Sequence, residues 1–157
     1  MYIVIITIII LGFLGWFFYK KKKKKKEHIE EIKEKPIPNI RWIRNPKLFK
    51  EELEKIEEII SKITIILEEE EFKFELSSKG KTILNAAIDE GIDVSFLCKN
   101  GVCQTCKARL LEGKIIMNGE WCELADEEIE EGDILLCQSH PTSENVIIEC
   151  EKRTFFD

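Results

Sequence analysis

The chain has 157 residues and a formal net charge of −6, a length that fits one domain of ordinary size plus an appendage. It excludes a complete reductase, which would need a flavin domain and a nicotinamide domain as well. Residues 1–19 carry no charge and residues 20–26 are seven lysines, so the remainder from Glu27 holds 17 basic and 30 acidic residues, a balance of −13. So acidic a remainder argues against nucleic-acid binding, which needs a basic surface. It suits docking to a basic protein face instead.

Residues 1–19 are an apolar run that predicts a transmembrane anchor. As a helix they would cover about 28 Å, close to the roughly 30 Å of hydrocarbon in a bilayer. A cleaved signal peptide would need basic residues before the apolar run and small residues after it. Here the lysines follow, and the aromatic residues 16–19 stand where small ones are required. The positive-inside bias places residues 20–26 in the cytoplasm, against anionic membrane lipid. The expectation is a single-pass cell-membrane protein with its bulk on the cytoplasmic side.

Residues 20–45 are interpreted as a tether, basic at first and then of mixed charge, in which Pro36 and Pro38 stop regular structure. Residues 46–61 predict an amphipathic helix, because apolar residues recur at helical spacing after Asn45 as N-cap. This helix is expected to cover part of the following domain, with docking of a partner as the alternative. Binding to a membrane surface is disfavoured, since its polar face carries more Glu than Lys.

Residues 62–157 predict a single domain that begins with a hairpin. Two alternating strands, at 63–67 and 72–76, are joined by a charged turn, and a helix over 82–90 follows with Gly91 as its stop. Further along, strands are predicted at 107–111, 133–137 and 146–150, with a short extension at 115–117 and a short acidic helix at 124–131. This order indicates an α+β fold in which one helix packs across a mixed sheet.

A cysteine motif lies between the predicted helix and the third strand. Cys98, Cys103 and Cys106 are spaced C-x4-C-x2-C, and Cys137 follows after thirty further residues. This is the plant-type ligand spacing for a [2Fe–2S] cluster. Gly101 lies in the longer gap, where a loop around inorganic sulfide needs a positive φ. Zinc also takes four thiolates, but short zinc loops usually use paired cysteine knuckles, so the spacing favours the cluster.

The remaining cysteines and the two histidines are given structural roles. Cys122 and Cys150 are interpreted as ordinary semi-buried thiols, and a disulfide framework is disfavoured on the predicted cytosolic side. A Rieske centre would need two histidine ligands. His28 lies in the tether, and His140 is placed in a loop after the fourth cysteine, with lining of a docking face as its alternative role.

Segments 96–109 (FLCKNGVCQTCKAR) and 134–141 (ILLCQSHP) resemble the plant-type [2Fe–2S] ferredoxin family. Within that family the sequence is most similar to the ferredoxin domains of oxygenase reductases of the phenylacetyl-CoA type, over about residues 62–152. The adrenodoxin-like branch, with five residues in the first gap, matches less well. The resemblance implies a β-grasp fold with all four motif cysteines as ligands, the more exposed iron being held by the first two. The chain departs from those relatives in lacking flavin and nicotinamide domains and in its predicted anchor.

These observations predict a membrane-anchored one-electron carrier rather than an enzyme, because no constellation of residues for catalysis is present. A flavoprotein reductase is the expected donor, and a membrane-associated oxygenase or desaturase the expected acceptor. Since reduction adds negative charge to an acidic domain, the potential should be low, near roughly −400 mV. The alternatives are a redox or iron sensor that docks through the helix from Pro46, and a fixed electron-transfer subunit of a larger complex.

Overall fold

The computed structural model describes residues 13, 15–17, 19–24, 27 and 39–151. The chain divides into two units, Met1–Lys35 and Pro36–Asp157. In the first unit the described residues are helical. None of the helices in the described ranges is long and apolar enough to cross a membrane. Most of the predicted anchor lies outside those ranges, so the anchor stays a prediction.

The second unit is built from short strands and helices. Its described strands are β1 (Asn39–Ile43), β2 (Ile60–Leu67), β3 (Glu70–Ser77), β4 (Lys107–Glu112), β5 (Lys114–Asn118), β6 (Asp133–Leu135), β7 (Ser139–Pro141) and β8 (Asn145–Cys150). Its described helices are α1 (Pro46–Lys55), α2 (Ile83–Asp89) and α3 (Asp126–Glu130), with a 3-10 turn at Leu136–Gln138.

Five of these strands form a mixed sheet in the order β3-β2-β8-β4-β6. Strand β2 is antiparallel to β3 and parallel to β8, and β4 is antiparallel to both of its neighbours. Ile63 and Ile65 point from β2 into the core, as the alternation of a half-buried strand requires. Helix α2, capped by the Thr82 side chain, buries Ile83 and Leu84 in the same core. The predicted α+β fold, with a helix on a mixed sheet, is confirmed.

A second sheet, in the order β1-β5-β7, was not predicted. Residues 39–43, assigned to the tether, form β1 and pair parallel to β5. The predicted extension at 115–117 is therefore the central strand of this sheet, and the loop expected around His140 is strand β7. The reason lies in the alternation of β1, where Ile40 and Trp42 pack on the main core. Nearby charges and prolines obscured this alternation in the sequence.

Helix α1 is shorter than predicted, ending at Lys55 rather than near residue 61. Its cap is as expected, since the Asn45 side chain accepts hydrogen bonds from the next turn. The apolar residues 59 and 60 fit a helical period but also a strand period, and Ile60 begins β2. Phe49 packs with Ile116 of the second sheet, so α1 has the covering role that was predicted.

Candidate metal centre

The cysteine loop, residues 98–106, carries three of the four motif cysteines between α2 and β4. Its backbone is left-handed at Lys99 (φ 58°), Gly101 (φ 88°) and Gln104 (φ 54°). The positive φ predicted for Gly101 is therefore confirmed. Left-handed residues in a short loop turn successive N–H groups toward its concave side, where they can donate to bound anions.

The four motif sulfurs are arranged as two pairs. In the outer pair, Cys98 and Cys103, the Cys98 N–H donates to the Cys103 sulfur over 3.4 Å, and the two thiols interact. In the inner pair, the thiols of Cys106 and Cys137 interact. Cys137 reaches this position from the 3-10 turn after β6, not from a continuous strand as predicted. The structure thus brings all four predicted ligand residues to one loop.

Hydrogen bonds leave one readily ionised sulfur in each pair. The Asn100 N–H, donating over 3.4 Å, and the Cys103 thiol lower the pKa of Cys98 to about 6. The Cys106 thiol, assisted by the Gln138 side-chain amide, lowers the pKa of Cys137 to about 7. The pKa of Cys106 is raised, because its thiol donates to Cys137 and is buried. Thiolates are the form that binds metal, so the site favours ligation.

The two pairs differ in burial. Cys98 and Cys103 are partly exposed, whereas Cys106 and Cys137 are 3% and 5% exposed. Any metal ion on the outer pair would lie nearer the solvent, as the family resemblance implied.

The donor set fits a [2Fe–2S] cluster, which takes two thiolates on each of two irons. Two thiol pairs match this demand, and N–H groups aimed at sulfur are the contacts that support such a cluster. Among the residues that the structure describes, no three His, Cys, Asp or Glu side chains are grouped to hold a single metal ion.

The other candidate residues lie apart from the pairs or are buried. His140 packs against the Phe49 ring, 6.0 Å between centroids, and is only 9% exposed, so its suggested place on a docking face is wrong. His28 lies outside the described residues. Cys122 is half-buried as predicted, while Cys150 is more deeply buried than predicted, and this burial raises its pKa to about 12.

A second loop, which was not predicted from the sequence, lies on the cysteine loop. This cover loop, residues 119–123, donates the Glu123 N–H to the Gly101 carbonyl over 3.4 Å. In return the Gln104 side chain donates to the Glu123 carbonyl over 2.8 Å. The cover loop also places Trp121, 65% exposed, beside the cysteine loop. The available signal was an aromatic residue in a polar segment that fits no predicted element.

An apolar rim lies beside the outer pair along the chain and on the cover loop. It consists of four exposed side chains on the two loops and the approach to them, namely Phe96, Leu97, Val102 and Trp121. The Lys99 ammonium lies over the Phe96 ring, 4.5 Å from its centroid. Grouped exposed apolar residues mark interaction surfaces.

The mixed sheet and the paired thiols are consistent with an iron–sulfur domain of the ferredoxin class. Residues 65–142 match the family described as "2Fe-2S iron-sulfur cluster binding domain". This part of the chain is therefore a ferredoxin-type domain, and its cofactor is a [2Fe–2S] cluster.

Several known proteins are similar to part of this chain. A component of 1,2-phenylacetyl-CoA epoxidase from Escherichia coli (strain K12) is 32% identical over 92 residues, which cover 59% of this chain and 26% of that one. Ferredoxin C 1, chloroplastic, from Arabidopsis thaliana is 45% identical over 64 residues, 41% of this chain and 40% of that one. The solved structure of the ferredoxin reductase in carbazole 1,9a-dioxygenase aligns with a TM-score of 0.51 and 26% identity, covering 59% of this chain and 27% of that one. The chain thus spans well under half the length of these relatives.

Proposed function

We propose that the protein is a one-electron carrier whose cluster is held by Cys98, Cys103, Cys106 and Cys137. The observation that carries this proposal is the division of the four sulfurs into an outer, partly exposed pair and an inner, buried pair. When bound, a [2Fe–2S] cluster supplies reversible one-electron chemistry. The inner pair fixes the site to the core, and the outer pair brings it near a partner.

The cysteine loop also sets how readily an electron is accepted. The Asn100 N–H donates to the Cys98 sulfur over 3.4 Å, and the Cys98 N–H donates to the Cys103 sulfur over 3.4 Å. Such donors stabilise negative charge on sulfur. The acidic surface opposes added charge, so we expect a low potential, near roughly −400 mV.

Partners would meet the carrier at the apolar rim. A buried apolar contact gives an interface its stability, while the acidic remainder steers a basic partner to it. We propose a flavoprotein reductase as donor and an oxygenase or desaturase as acceptor. The support is that the similar proteins named above include a component of an epoxidase and a reductase of a dioxygenase system.

The sequence of residues 1–26 supports attachment to the cell membrane, with the ferredoxin-type domain on the cytoplasmic side. An apolar run followed by lysines suits an anchor that holds the carrier near a membrane-bound acceptor and raises its local concentration. To test this, residues 1–26 are replaced by a soluble tag and electron delivery is measured in native membranes. Unchanged delivery would show that the anchor is not needed.

The sensor alternative is less well supported. It requires the helix from Pro46 to dock a partner, but α1 packs Phe49 and Leu53 against Ile43 and Ile116 of its own domain. Its apolar face is therefore already in use within the chain.

The ligand set is tested by anaerobic preparation of the whole chain and of single Cys→Ser variants. We expect a coloured protein with two irons and two sulfides per chain, and a paramagnetic signal after dithionite treatment. Substitution of a motif cysteine should remove or alter that signal, whereas Cys122→Ser and Cys150→Ser serve as matched controls. Colourless, zinc-loaded protein would overturn the proposal.

A further inference from the structure

The cover loop has few contacts of its own that would hold it in place. Within it, the Cys122 N–H reaches the Gly119 carbonyl over 3.4 Å, and the Glu120 N–H reaches the Asn118 side chain over 3.2 Å. Both bonds are local. Its position over the cysteine loop must therefore depend on neighbours outside it.

Cys122 packs against the main core, and β1 supplies the neighbours at the start of the cover loop. The Gly119 N–H donates to the Ile43 carbonyl over 2.8 Å, continuing the β1–β5 pairing one residue past Asn118. A Cβ atom at Gly119 would lie 3.0 Å from the Trp42 ring and 3.4 Å from the Arg44 backbone. The first residue of the cover loop is thus packed directly against the end of β1.

Arg44 closes the arrangement from the other side. Its guanidinium lies 4.5 Å from the centroid of the Trp42 ring and donates to the Asp126 carboxylate over 2.8 Å. Asp126 opens α3, which follows the cover loop. Arg44 therefore ties β1 to the chain after the cover loop, while Ile43 holds the chain at its start.

The cover loop in turn contacts Gly101 of the cysteine loop. The Gly101 carbonyl accepts from Glu123. A Cβ atom at Gly101 would lie 3.3 Å from the Trp121 carbonyl oxygen and 3.2 Å from the side chain of Gln138, the residue after Cys137. Displacing the cover loop would remove these contacts and leave Gly101, between Cys98 and Cys103, free to move.

We propose that Trp42, Ile43 and Arg44 act as a brace that holds the cover loop against the cysteine loop, so that retention of the cluster depends on residues outside the matched 65–142 segment. Arg44 is a positioning residue, since it acts through the cover loop. The inference rests on the four-cysteine ligand set proposed above.

The test compares Arg44→Ala with Arg41→Ala. Arg41 lies on β1, three residues before Arg44, and carries the same charge. It pairs with Glu52 of α1 instead of with the far side of the cover loop. Gly119→Ala, whose new methyl group meets Trp42, disturbs the same contact without changing charge.

Two quantities are measured on the whole chain. The first is the rate at which the visible absorption of the cluster is lost in the presence of an iron chelator, and the second is hydrogen exchange of the Glu123 amide. Because the brace is an exposed ion pair plus a cation–π contact, Arg44→Ala should raise both rates roughly three- to tenfold through local opening. Gly119→Ala should act in the same direction, and Arg41→Ala should leave both rates within about twofold of the unsubstituted chain.

The proposal is overturned if Arg44→Ala matches Arg41→Ala in either measurement, or if Gly119→Ala slows cluster loss. That outcome differs from a failure of the ligand set, in which the unsubstituted chain would take up no cluster at all and both proposals would fall.

Discussion

The two thiol pairs lie in very different surroundings. The outer pair, Cys98 and Cys103, lies partly in solvent among exposed apolar side chains. The inner pair, Cys106 and Cys137, belongs to the main hydrophobic core. One side of the site is thus suited to contact with other molecules, and the other side is suited to retention of the cofactor. A carrier needs both, because it must exchange electrons with partners and keep its cofactor between encounters.

The largest effect is expected when one cysteine of each pair is substituted and the two variants are compared. Cys137→Ser should leave no isolable cluster, because a hydroxyl at this buried position, 5% exposed in Cys137, is a weak substitute for thiolate. Cys98→Ser should retain an altered, shorter-lived cluster, since its position is open to solvent and to N–H donors. Iron and sulfide content with low-temperature paramagnetic spectra distinguishes them. Equal loss in both variants would remove the distinction drawn between the pairs.

The next effect concerns the loop that joins the pairs. Gly101→Ala places a side chain at a φ of 88° and 3.2 Å from the Gln138 side chain. The left-handed conformation alone should cost roughly 1–2 kcal/mol of stability, so the cysteine loop should open more often and release the cluster sooner. Cluster lifetime and denaturant unfolding of the cluster-free chain measure the two consequences. An alanine variant as stable as the unsubstituted chain would contradict the structural account of this loop.

A smaller effect tests the outer side as a contact surface. Trp121→Ala should change the free energy of unfolding by less than about 0.5 kcal/mol because the side chain is exposed. It should nevertheless weaken partner docking about tenfold if Trp121 lies at the centre of the interface. Ile60→Ala, at an exposed position on β2, is the control. Steady-state reduction by a reductase gives the docking constant, and equal constants for the two variants would exclude the apolar rim as the docking surface.

The smallest effect is a pH dependence on the buried side. Burial lowers the pKa of His140, so the folded state holds it neutral while the unfolded chain protonates near pH 6.5. Its stabilising contribution is complete above pH 6.5 and is lost as the pH falls toward the lowered folded-state pKa. In the cluster-free chain, the free energy of unfolding between pH 7 and pH 5 should therefore fall less steeply in His140→Gln. Parallel curves for the two proteins would show that His140 does not carry this dependence.

The grouping of the motif cysteines was largely predictable from the sequence, because three of the four are close together in the chain. Three cysteines in nine residues leave few alternatives, and positive φ at Gly101 follows from the same tight loop. The main sheet was readable because its strands alternate and its helix ends at a glycine. These are local signals that survive without knowledge of the tertiary structure.

The second sheet and the cover loop were not readable for the opposite reason. Strand β1 is only five residues long and is stabilised by pairing with β5, some seventy residues later in the chain. The length of α1 was overestimated because residues 59 and 60 fit both a helical and a strand period. Only the pairing of β2 with β3 and β8 decides between the two. The roles of Trp121 and Arg44 depend on contacts between the cover loop, the end of β1 and α3. Local sequence patterns do not indicate contacts between segments so far apart in the chain.

Strand order carries a practical consequence for anyone who would isolate the redox module. Strand β8 lies in the middle of the main sheet, between β2 and β4, yet it falls after residue 142, and β1 and α1 fall before residue 65. A fragment trimmed to the matched segment would lose a central strand and expose the apolar Ile116 and Met117. Its unpaired strand edges would be free to pair with other copies of the fragment, which promotes aggregation. Expression boundaries should instead enclose residues 39–151, so that every paired strand travels with its partner.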